Sequence, residues 1–286
     1  MKTPFRSCLE EVETWISNLF PPTERVKRLT AVILTWLGVG LHLWVYFPTL
    51  QTSTMKVTLQ GPNDWFDYTR EFLNTCEQAA KGSTGNMLSK VPEKWPYGKT
   101  DYYVSIFGYC RKSEGSKPVC HRTSAQYPFE VIMRDIGSVI AEQTLERKSE
   151  IKKTAENWKD QSILALNQAI RASSSGEVNK YDKFKRTYRH PIDGFSLALF
   201  TIVFTSIALV MLRLLVDTTS LDCSFSLIGP FFHSWIGFFV IFFQKGVDLG
   251  AVQVINDCGG LIGILFSIWA LLFVAFFITR PKITRY

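Results

Sequence analysis

Apolar positions along this chain gather into four blocks, separated by polar stretches of very unequal length. The blocks cover residues 31–50 (AVILTWLGVGLHLWVYFPTL), 195–216 (FSLALFTIVFTSIALVMLRLLV), 226–243 (SLIGPFFHSWIGFFVIFF) and 259–279 (GGLIGILFSIWALLFVAFFIT). Each is apolar around its whole helical circumference, a pattern that a helix half-exposed on a soluble core does not show. Each approaches the roughly 20 residues that a helix needs to cross a bilayer. Arg213 lies close enough to the end of the second block to snorkel. The pattern predicts four transmembrane spans. The first block starts too late and runs too long for a cleaved signal peptide, so it reads as a signal anchor.

The polar stretch between the first two blocks shows two periodicities. Met55-Lys56-Val57-Thr58-Leu59 alternates as a strand does, and Tyr102-Tyr103-Val104-Ser105-Ile106-Phe107 is rich in aromatic and β-branched residues. Gly61-Pro62-Asn63-Asp64 is a turn signal. Further on, Phe129, Ile132, Ile136, Val139 and Ile140 recur at helical steps, as do Trp158, Ile163, Leu166 and Ile170. The predicted fold class is therefore mainly α: a four-helix transmembrane bundle with a large α+β extracytoplasmic loop domain between spans one and two.

Basic residues orient this arrangement. Arg25, Lys27 and Arg28 precede the first block, and Arg280, Lys282 and Arg285 follow the fourth. The expected organisation is a cytosolic N-terminal segment at 1–30, spans at 31–50, 195–216, 226–243 and 259–279, an extracytoplasmic domain at 51–192 and a cytosolic tail at 280–286. An amphipathic helix at 8–20, with Leu9, Val12, Trp15, Ile16, Leu19 and Phe20 on one side, is expected on the cytosolic membrane surface or docked on a partner or on the bundle.

Composition narrows the function. Of 286 residues, 47% are hydrophobic and 20% charged, which excludes a disordered chain. The net charge of +7 comes with acids interleaved among the bases, so no nucleic-acid role is read from it. The sequence has no HExxH, GxSxG, P-loop or dinucleotide-binding glycine pattern. The histidines His42, His121, His190 and His233 are scattered. No catalytic residue, cofactor or metal site is expected. Gly259-x-x-x-Gly263 reads as a helix-packing face.

Six cysteines remain. Cys110 and Cys120 flank a segment that can turn, through Gly115 and Pro118. A bridge in an oxidising compartment and two free thiols in a cytosolic loop are both open, and the expected topology favours the bridge. Cys76 is left odd, with Cys258 a candidate partner. Cys8 and Cys223 read as cytosolic thiols.

The element Gly108-Tyr109-Cys110, followed by Cys120 and then by Tyr127-Pro128-Phe129, resembles a motif of claudin-like tetraspan proteins. It is most similar to the fungal branch of eisosome cortical-patch and PalI-type proteins. The tryptophan of the claudin motif is absent here, since Ile106 and Phe107 precede Gly108. The resemblance implies a disulfide between Cys110 and Cys120, a small sheet in the loop, and a non-enzymatic role in organising a plasma-membrane domain or supporting cell-wall, stress or mating processes. The expected partners are membrane lipids and laterally associated membrane proteins, and a homo-oligomer stays open. The expected location is a multi-pass protein of the plasma membrane, with the endoplasmic reticulum or another endomembrane as the alternative. An ion-influx channel or its regulator, and an endomembrane scaffold or lipid-handling protein, are the rival readings.

Overall fold

A computed structural model of the chain describes residues 24–45, 47–61, 63–105, 107–122, 127–144, 147–173, 175–186, 247–257 and 259–279. The chain divides into two compact units. One comprises Met1–Tyr46, Ile192–Phe243 and Leu261–Tyr286, and the other Phe47–Pro191 with Gln244–Gly260.

The second unit is an α+β domain. Among the described residues its antiparallel sheet has six strands in the order β4-β3-β2-β1-β6-β5, with β1 Ser53–Leu59, β2 Thr100–Ser105, β3 Gly108–Ser113, β4 Val119–Arg122, β5 Val247–Asp248 and β6 Val252–Asn256. Alternation decides the faces. Met55, Val57, Tyr102, Val104, Tyr109, Val252 and Val254 are buried in one core with the helices. Lys56, Tyr103 and Ile255 are in register with one another on the opposite, more exposed face.

Among the described residues five helices alternate with these strands, two between β1 and β2 and three between β4 and β5. Helix α2 spans Trp65–Ala79, α3 Met87–Lys90, α4 Pro128–Gln143, α5 Lys148–Ala172 and α6 Gly176–Arg186. Helix α2 begins at a capping box. Asp64 Oδ1 accepts from the backbone N–H groups of Phe66 (2.8 Å) and Asp67 (2.9 Å), while Asp67 Oδ2 accepts from the Asp64 N–H (3.2 Å). Trp65 Nε1 donates to the Thr100 carbonyl at 2.9 Å, which pins the start of α2 to the start of β2. Helix α4 opens on Pro128, whose fixed φ suits a first helical position. Its Gly137 lies against α5, where a Cβ would stand 2.6 Å from Trp158 Cβ.

In the first unit, α1 runs over Glu24–Trp44 and α7 over Gly259–Thr279, α7 beginning where the units divide. Helix α1 buries Ala31, Val32, Thr35, Val39 and His42 along one face and exposes Leu29, Ile33, Trp36, Leu37, Leu43 and Trp44.

These elements correct the expected fold class. The described architecture is a sheet with flanking helices, not a four-helix transmembrane bundle. Among the described residues no helix is long and apolar enough to cross a membrane. That overturns the multi-pass, transmembrane and four-span reading and, with it, the expected location as a multi-pass membrane protein. One physical reason is visible in the first block. Helix α1 takes in Glu24, Arg25, Lys27 and Arg28 and stops at Trp44, short of the block's expected end at residue 50. Helix α7 keeps the expected bounds, Gly259–Thr279. The expected spans at 195–216 and 226–243, the helix at 8–20, the tail at 280–286, and Cys8, Cys223, Cys258, His190 and His233 lie outside the described residues.

The stretch after residue 243, expected as a short loop, is the second correction. It forms the β5–β6 hairpin and adds to the sheet beside β1, with Lys56 opposite Ile255 and Val57 opposite Val254. Its turn needs Gly250 at φ +85°, where the Gly250 N–H donates to Asp248 Oδ1 at 2.9 Å.

Candidate interaction surface

Strands β2, β3 and β4 form the side of the sheet that ends at β4. The β2–β3 reversal puts Tyr103 opposite Cys110 and Ser105 opposite Gly108. Cys110 then lies opposite Cys120 in β4, and the two form a disulfide with Cα atoms 4.0 Å apart. The bridge closes a ten-residue separation, worth about 2–3 kcal/mol of loop entropy.

Gly108 is held by its neighbours. A Cβ there would overlap the carbonyl oxygen of His121 and crowd the Pro48 ring, so the strands approach closely only because the side chain is absent. Tyr109 points from β3 to the helical side, buried, with its ring 5.3 Å from that of His121. Of the glycines in α7, Gly263 would meet no atom within 4 Å on gaining a Cβ, and its carbonyl accepts from Ser267 Oγ at 2.8 Å. The close approach falls at Gly260, whose Cβ would run into the Gln51 backbone. Gly259 opens the helix.

Beneath this side of the sheet lies a polar cluster that the sequence reading misses. Asp135 of α4 is fully buried. Its Oδ2 accepts from Tyr102 Oη (2.7 Å) and Arg111 Nη1 (2.8 Å), and its Oδ1 from Tyr109 Oη (2.7 Å). The Arg111 guanidinium also sits 4.3 Å over the Tyr97 ring. Burial, and then the charge of Asp135, push both tyrosine hydroxyls well above their ordinary pKa. Burial works against the Arg111 charge, but Asp135 and the neighbouring tyrosines outweigh it and hold Arg111 protonated. The tyrosines are therefore fixed donors, and the cluster clamps β2 and β3 to α4. One signal was available: Asp135 interrupts an apolar face between Ile132 and Ile136.

Strand β4 itself is exposed along its whole length. Arg122 within it, and Lys112 and Lys117 before it, stand against one acid, Glu114, and all four are exposed. The Arg122 guanidinium lies 4.3 Å over the Phe47 ring.

Cys76 is a buried free thiol in α2, and burial pushes its pKa up to about 12. A cleft of about 40 Å³ lies among Tyr68, Glu71, Glu177, Lys180, Tyr181 and Leu249, with room for a few water molecules. Among the described residues no group of three or more His, Cys, Asp or Glu side chains is placed to hold a metal ion. The features that stand out are thus a surface, the β3–β4 edge, and the buried cluster that anchors it. Comparison with protein families, with curated proteins and with solved structures finds no match.

Proposed function

We propose that this chain is a non-enzymatic protein that works by association in an oxidising setting, with its sheet domain as the contact module. The carrying observation is the Cys110–Cys120 bridge, which fastens an exposed edge strand to the sheet. Such a bridge persists where the surroundings are oxidising, as they are outside the cytosol. A claudin-like role in organising neighbouring proteins draws support from the Gly108-Tyr109-Cys110 element, which forms the start of β3. The exposed Ile33, Trp36, Leu37 and Leu43 of α1 support an apolar partner surface, lipid or protein.

The test is peptide mapping without reductant, on chain taken from its native setting with thiols blocked. Recovery of a linked Cys110–Cys120 peptide is expected, with Cys76 alkylated only after denaturation. Alkylation of Cys110 and Cys120 in the native chain sinks the reading.

A further inference from the structure

We propose that the free side of β4 binds an acidic segment of a partner protein, which adds in extended form as a seventh strand. This rests on the reading above and names the partner's chemistry. Among the described residues β4 pairs only with β3. The 4.0 Å Cα separation of Cys110 and Cys120 marks a non-hydrogen-bonded pair of the antiparallel ladder. The N–H and C=O of Cys120 therefore point away from β3, and by alternation so do those of Arg122. A row of outward donors and acceptors is what an added strand needs.

Charge selects the occupant. Lys112, Lys117 and Arg122 outnumber Glu114 along the edge, all exposed. A second β4 brought alongside would set like charges against each other, which disfavours self-pairing. An acidic strand meets the opposite condition. Val119, 45% exposed and directed to the other face from Arg122, offers an apolar contact to alternate side chains of the added strand. The disulfide keeps β4 in place for that docking, so reduction releases the edge.

The probe is a fluorescein-labelled nine-residue peptide of alternating Glu and Val, with a Lys-for-Glu peptide as control, titrated into the purified full chain by fluorescence anisotropy. Saturable binding of the acidic peptide alone is expected, weakened at least tenfold by Lys117→Glu with Arg122→Glu. Lys152→Glu with Lys153→Glu, an equal charge change on exposed positions of α5, leaves binding within twofold. Arg122→Pro, which deletes an outward N–H, weakens binding at least threefold more than Arg122→Ala. Peptide mapping of the bridge and far-UV circular dichroism verify that each variant is folded. Equal affinity for both peptides, no binding, self-association through the edge, or identical Pro and Ala variants overturns the proposal. If the peptide fails to bind while the native bridge is intact, only this inference falls. Free thiols at Cys110 and Cys120 remove the function reading as well.

Discussion

The most consequential single residue is Asp135. Removing one partner of a buried ion pair leaves the other charge uncompensated in the interior, at about 3–5 kcal/mol. Asp135→Asn is expected to cost that much, read as a fall in the urea midpoint, because Arg111 and two tyrosine hydroxyls lose a charged acceptor. Replacing the whole cluster, Asp135→Leu and Arg111→Met with Tyr102→Phe and Tyr109→Phe, leaves no buried polar group orphaned and is expected to cost less than the Asp135→Asn change alone. A fourfold variant less stable than the single one counts against a charge-based role. Cys76 gives a pH prediction at the same scale. Its thiol pKa rises from 9.0 to about 12 on folding, through burial. A group whose folded pKa is raised contributes stability below its unfolded pKa and loses it as pH rises through the folded one. The domain should therefore weaken between pH 9 and about 12, and Cys76→Ala should flatten that slope in urea midpoints measured across the range. A slope unchanged by the substitution rules out this thiol as a contributor. Periodicity alone writes neither role: Asp135 marks itself by interrupting an apolar face of α4, but its three donors come from the sheet and from no local pattern.

Among the elements, those whose hydrogen-bonding or packing logic is local were the legible ones. The helical steps at Phe129, Ile132, Ile136 and Val139 fall in α4, with all four side chains buried. The alternation from Met55 to Leu59 falls in β1. The aromatic run from Tyr102 ends as a strand at Ser105, and the chain re-enters the sheet at Gly108 as β3. Gly108 and Gly137 are intelligible only once neighbouring elements are placed. At Gly137 the nearest atoms to an added methyl include Ala155 Cα as well as the Trp158 side chain, so the two helices cannot close as they do. Gly137→Ala is expected to destabilise by about 1–3 kcal/mol, as overpacking does in well-filled cores. Thermal unfolding measures it, and a neutral result would mean that α5 shifts freely.

At the scale of the whole molecule, the sheet is completed by chain far from the rest of it. Four apolar blocks suggest a bundle with loops, but hydropathy carries no information about pairing across long separations. Strand β6 lies beside β1 with Ser53 Oγ donating to the Asp257 carbonyl at 3.1 Å, across a separation of 204 residues. Each of these two strands needs the other. Without β6, β1 becomes a seven-residue sheet edge, with Met55 and Val57 of the core bordering it. Exposed edges of that length pair with other chains. A fragment of residues 47–191 is therefore expected to self-associate, while the same fragment joined by a short flexible linker to residues 244–260 is expected to be monomeric and to melt cooperatively. Light scattering behind size-exclusion chromatography, with circular dichroism melts, separates the two. A monomeric, cooperatively folded 47–191 fragment would show that β5 and β6 decorate the sheet rather than close it. Rescue by the added hairpin would show that the domain is one folding unit assembled from two distant parts of the sequence.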